Sequence, residues 1–119
     1  MTYKTGNLPA PFKRYGVATT LIHEKNHLRL FYHVTEIAAV HKTPLGFMLY
    51  LQHNGWNTST TKKRINAFLS YCQLPFFIYQ KNFTWYIYTP DGTIEWQYKE
   101  IIFNVTDLGI FQTNKFKIT

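Results

Sequence analysis

Asn54-Gly55-Trp56-Asn57-Thr58-Ser59-Thr60-Thr61-Lys62-Lys63-Arg64-Ile65-Asn66-Ala67-Phe68-Leu69 is the stretch that decides the fold. A polar, glycine-marked loop runs straight into a segment of helical period. Ile65, Phe68, Leu69 and Cys72 recur at helical spacing and make a single apolar stripe. Ser59 or Thr60 is placed to cap it, and Leu74-Pro75 closes it. The spacing therefore predicts a helix from Thr60 or Thr61 to Tyr71, about 60–72 in all. An amphipathic helix must bury its stripe, and the flanking sequence says against what.

On both sides the pattern is that of strands. Val17 to Ile22 is rich in β-branched residues, and Glu24-Lys25-Asn26 suits a turn. Leu28, Leu30, Tyr32 and Val34 then alternate with Arg29, Phe31 and His33. Ile37 to Val40 continues that strand or begins another, and Lys42-Thr43-Pro44 breaks it. Phe47 to Leu51 is a further strand. After the helix, Phe76 to Gln80 and Phe83 to Thr89 are separated by Lys81-Asn82, the length of a tight hairpin loop. Thr89-Pro90-Asp91-Gly92 is a turn in which Pro fixes φ and Gly takes a positive one. Thr93 to Tyr98 and Glu100 to Val105 complete a meander. The expectation is an α+β fold, an antiparallel β-meander with one amphipathic helix packed on one face of the sheet. It forms a single domain over residues 1–119, with 1–15 an irregular N-terminal arm and 107–119 a basic tail.

Composition narrows the function classes. The chain has 119 residues, room for one core, and its 45% apolar content is that of a globular domain. Thirteen Lys and Arg face six Asp and Glu, a net charge of +7 that favours polyanionic partners and salt-sensitive association. The six carboxylates thin the options for paired acid–base chemistry or an oxygen-ligand cation site. One cysteine, Cys72, allows no intrachain disulfide, and its place on the apolar stripe makes it a small buried hydrophobe. No apolar run reaches the ~18 residues of a membrane span, and the first residues lack the apolar core of a signal peptide. A reducing, cytoplasmic setting follows.

Two surfaces are candidates for contact. The first is the helix start. Its amino end already carries a partial positive charge, and each basic residue there costs a few tenths to ~1 kcal/mol. A bound anion offsets that cost. At about 100° per residue, Lys62 and Arg64 lie on the two flanks and Lys63 points directly away from the core. The charges fan around the helix end. Such a fan, with Thr60 and Thr61, suits a phosphate or carboxylate. The second surface is the meander after the helix. On strand 83–89, Phe83, Trp85 and Ile87 face one way and Thr84, Tyr86 and Tyr88 the other. Aromatic content is high at 18%, and Tyr rings beside Lys81 and Lys99 suit stacked bases or a protein partner.

His23-Glu24-Lys25-Asn26-His27 spells the H-E-x-x-H pattern of zinc hydrolases, with His33 where a third ligand would stand. That chemistry needs both His one helical turn apart on a helix. The flanks here are strand-like, and Leu30 stands where the extended pattern wants a turn-forming Gly. The stretch reads as a hairpin, with no metal site and no catalytic residues. His41 and His53 have no suggestive spacing.

The run from Asn54 to Asn66, then Tyr79-Gln80-Lys81-Asn82-Phe83-Thr84-Trp85-Tyr86 and Thr89-Pro90-Asp91-Gly92, resembles small uncharacterised proteins of tailed bacteriophages. The Tyr32 to Ala38 stretch is similar to their early strand, and the resemblance covers roughly residues 28–103. It implies a phage origin and an intracellular role during infection, and no activity. The sequence thus reads as a non-enzymatic phage accessory protein, without cofactor, that binds DNA or RNA. Thr60, Thr61, Lys62, Lys63, Arg64 and Lys81 would meet phosphate, with Trp56 and Tyr86 as stacking groups. The alternative is a protein-binding module that inhibits or redirects a host or defence protein through exposed aromatics.

Overall fold

The computed structural model describes residues 1–53, 58–106 and 109–112. Its elements are β1 (Thr2–Tyr3), a 3-10 turn (Ala10–Tyr15), β2 (Thr19–Glu24), β3 (His27–Tyr32), β4 (Thr35–Thr43) and β5 (Gly46–Gln52). Then come α1 (Ser59–Tyr71), β6 (Phe77–Lys81), β7 (Thr84–Thr89), β8 (Gly92–Glu95), β9 (Glu100–Thr106) and β10 (Gly109–Gln112). The fold is α+β, as expected. Among the described residues every strand pairing is antiparallel, and α1 packs on a sheet.

The described strands form two sheets. One has seven strands in the order β1-β2-β3-β4-β5-β9-β10, the other three in the order β6-β7-β8. The expected meander after the helix therefore breaks at its last step. β9 leaves β8 and pairs with β5, Leu51 opposite Ile101 and Leu49 opposite Phe103. All four are buried, so this pairing extends the apolar face that the helix needs. At Gly46 the two strands approach so closely that an added Cβ would lie 2.0 Å from the Val105 carbonyl oxygen, which only glycine permits.

One continuous core joins helix and sheets. Ile65, Phe68 and Leu69 of the predicted stripe share it with Leu21, Leu30, Leu49, Leu51 and Phe103 of the larger sheet and with Ile78, Trp85 and Ile87 of the smaller. Cys72 is half-buried, and burial pushes its thiol up to about 12.

Three details are decided here. Ile37 to Val40 lies in its own strand, one of the two expected alternatives, and Val34 leaves the preceding strand because the chain turns back at His33 and Val34, where His33 holds a φ of 56°. The β6–β7 turn is Asn82-Phe83, one residue later than expected, with φ of 51° and 64°. Those signs are what a two-residue hairpin turn of matching twist requires, and Asn82 tolerates them well. Finally, the N-terminal arm is not irregular. β1 pairs with β2, and the 3-10 turn puts Phe12 into the core beside Tyr71, ring centroids 5.5 Å apart.

Candidate nucleic-acid interface

The helix begins one or two residues before its predicted start, and Thr58 is its cap. Thr58 sits in extended backbone, and its Oγ1 accepts the Thr61 N–H at 3.3 Å. The N–H groups of Ser59 and Thr60 have no intrahelical partner, as at any helix start. The first turn holds no acidic residue, so its positive end is uncompensated. Thr58, Thr60 and Thr61 line a cleft of about 460 Å3 that His33, His53 and Tyr32 close from the other side.

The predicted residues divide here. Thr60 and Lys63 are exposed and Lys62 half-buried. Thr61 is 1% exposed, so it belongs to the cap. Arg64 does not lie on an open flank: it is 6% exposed. Its guanidinium donates to Thr19 Oγ1 at 2.8 Å, to the Thr60 carbonyl at 2.9 Å and to the Val17 carbonyl at 3.0 Å. It also lies over the Tyr32 ring, 4.1 Å from the centroid. Nε, Nη1 and Nη2 all donate to the protein itself, which removes Arg64 from the anion-facing set. The helical angle does place it on a flank, but the 3-10 turn and the start of β2 cover that flank. Trp56 lies outside the described residues.

The second surface is the outer face of the three-stranded sheet. Ile78, Trp85 and Ile87 are buried, so strand alternation turns Phe77, Tyr79, Lys81, Thr84, Tyr86 and Tyr88 outward. Cross-strand register pairs Phe77 with Tyr88, Tyr79 with Tyr86 and Lys81 with Thr84. Tyr79 and Tyr86 stack, 5.4 Å between centroids and 22° between planes. Phe77 and Tyr88 are 53% and 51% exposed, so the pair offers open ring surface. Glu95, opposite Tyr86 on β8, brings a carboxylate to this sheet and accepts from Gln97 Nε2 at 2.7 Å.

Asn66 brings the two surfaces together. Its side-chain amide donates to the Ile78 carbonyl at 2.9 Å and accepts the Ile78 N–H at 2.7 Å, closing the free edge of β6. The Leu74 N–H bonds the Leu69 carbonyl and closes the C-terminal end of α1 before β6 begins. Lys62 lies four residues before Asn66, about 6 Å along a helix. Gln80 lies two residues beyond Ile78, about 6.6 Å along a strand. Lys62 and Lys63 stand on the helix that Asn66 ties to β6, and Lys81 ends that strand. Of the predicted site residues, Lys62 and Lys63 stand on α1, Lys81 on β6 and Tyr86 on β7. Phe77 and Tyr79 join them without having been predicted, although the Phe-x-Tyr-x-Lys alternation of β6 carries the signal.

A family model described as Kyanoviridae Gp96 protein matches residues 10–107, most of the chain. The chain belongs to this family. The Kyanoviridae Gp96 match makes it a tailed-phage protein and reaches back over β2 and the 3-10 turn, beyond the span of the resemblance seen in sequence. No curated protein and no solved structure matches it. Among the described residues, no helix is long and apolar enough to cross a membrane.

In this Gp96 family member His23 and His27 sit on paired strands. Glu24 opposes His27 across a Lys25-Asn26 turn, so the stretch is the hairpin its flanks predicted. His53 is more consequential. It is 7% exposed and packs against Trp85 and Trp96, with centroids at 5.6 Å and 4.9 Å. Trp96 in turn sits edge-on to Trp85. Burial lowers the His53 pKa, with Lys99 acting the same way and a backbone hydrogen bond at Tyr98 opposing. The sign follows. The unfolded chain takes up a proton near 6.5, whereas folded His53 resists it, so stability is full above that pH and is lost as pH falls through it. Urea unfolding should show the midpoint dropping between pH 7 and pH 5, and His53→Asn should flatten that drop.

Proposed function

We propose that this phage protein is a non-enzymatic accessory factor that binds single-stranded nucleic acid in the host cytoplasm. The observation that carries the reading is the outward aromatic face of β6 and β7, with Lys81 on the same strand face and the helix of Lys62 and Lys63 tied to β6 through Asn66. Bases stack on exposed rings without regard to sequence, and a lysine edge follows the backbone. Phe77, Tyr79, Tyr86 and Tyr88 would receive bases. Lys62, Lys63 and Lys81 would meet phosphates, with the Thr60 end of the helix as a further anion contact. The charge of +7 supports the same partner class.

The test is anisotropy of labelled single-stranded DNA, RNA and duplex DNA against the purified protein across a salt series. Binding should favour the single strand. Tyr79→Ala and Tyr86→Ala should each weaken it by about 1–3 kcal/mol. Replacing Lys62, Lys63 and Lys81 by Ala should reduce the log–log salt slope by about 0.7 for each phosphate no longer neutralised. Equal affinity for the duplex, or a slope unmoved by the three changes, would refute the proposal.

A second reading rests on Phe83, 95% exposed at the tip of the β6–β7 hairpin. A large ring held in full solvent suits a protein-binding module acting on a host or defence protein. It predicts that Phe83→Ser abolishes binding to such a partner and leaves oligonucleotide affinity unchanged.

A further inference from the structure

A groove of about 400 Å3 lies at the opposite, C-terminal end of α1. Leu28, Val40, Phe47 and Leu74 line it with apolar surface, and Lys25 and Lys42 bring positive charge to it. His23, His27 and Cys72 also border it. The Lys42 N–H donates to the Asn26 carbonyl at 2.9 Å, which extends the β3–β4 pairing into the β2–β3 turn and brings Lys25 and Lys42 to the same end of the sheet. Among the described residues no carboxylate lines it. Glu24 of the same hairpin pairs with His27 and stands outside it.

We propose that this groove docks a short acidic segment of a partner protein, one apolar side chain on the floor and carboxylates against Lys25 and Lys42. The charge of the lining selects the occupant. The chain's own C-terminal residues carry Lys115 and Lys117 and no acidic side chain after Asp107, the wrong sign for this site. A nucleic-acid backbone would satisfy the lysines and leave the apolar floor unused. An acidic segment with a Leu or Phe anchor uses both.

The test uses the full chain and a fluorescent peptide with a central Leu-Phe pair flanked by glutamates. Control peptides carry glutamines at the flanks, or glutamates with alanines at the centre. Only the acidic, apolar peptide should bind well. Lys25→Glu with Lys42→Glu should weaken it roughly tenfold, since two exposed ion pairs become repulsive. Both lysines are exposed, so the fold should tolerate the changes. Preference for single-stranded over duplex oligonucleotide should be unaltered in the double variant, which separates this site from the aromatic face. Equal binding of the glutamine peptide, or indifference to the charge reversals, would each overturn the proposal.

Discussion

Phe12→Ala should cost the protein about 3–5 kcal/mol of folding free energy, the range for emptying a buried aromatic site. Phe12 has no solvent-exposed surface and touches Tyr71 at the far end of the helix. Leu8, 4% exposed, accompanies it into the same core. Pro9 and Pro11, which lie between them, stiffen the segment against collapse into the vacancy. A cavity should therefore persist. Urea unfolding followed by Trp fluorescence gives the number. An arm lying loosely on the surface would lose no more than about 0.5 kcal/mol, so the measurement discriminates sharply.

Arg64→Ala should destabilise by about 2–4 kcal/mol, the sum expected for losing a buried stem and stranding acceptors. The Val17 carbonyl and Thr19 Oγ1 would lose their guanidinium donors. Next to them Ala18 holds a φ of 58°, a conformation that a side chain disfavours and that its surroundings must impose. Its carbonyl accepts the His33 N–H at 2.7 Å, so the clamp reaches the β3–β4 turn. Arg64→Lys should recover only part of the loss, because an ammonium cannot reproduce the planar fork or its stacking on Tyr32. Oligonucleotide affinity of the lysine variant, measured well below its melting temperature, should change little. If Arg64 contacts phosphate, the reverse holds: stability is kept and affinity falls.

These two residues mark where local reading ends. The β2–β3 and β7–β8 hairpins were legible because each is a local event. Lys25-Asn26 and Pro90-Asp91 turn within a few residues, and alternation on either side declares the faces. The helix was legible for the same reason, since Ile65, Phe68 and Leu69 lie within two turns of one another. Phe12 was not, because it reaches the core through a proline-marked segment without any period. Arg64 was not, because an arginine at a helix start is indistinguishable by angle from one that faces solvent. Only the cover supplied by Val17, Tyr32 and the 3-10 turn decides where its guanidinium points.

The candidate interface divides in the same way. Lys81 and Tyr86 could be picked out from their own strand. That the helix bearing Lys62 and Lys63 is tied to that sheet follows only from Asn66 pairing with the backbone of Ile78, twelve residues on. By itself the sequence determined the α+β class, the antiparallel hairpins, the helix with its stripe, and the excess of positive charge. All of these depend on residue order over short spans. The tertiary structure alone decided that β9 joins β5, that the arm enters the core, and that Arg64 turns inward. Each of these depends on which apolar face remains uncovered once the local elements have formed, and that is a property of the assembled surfaces.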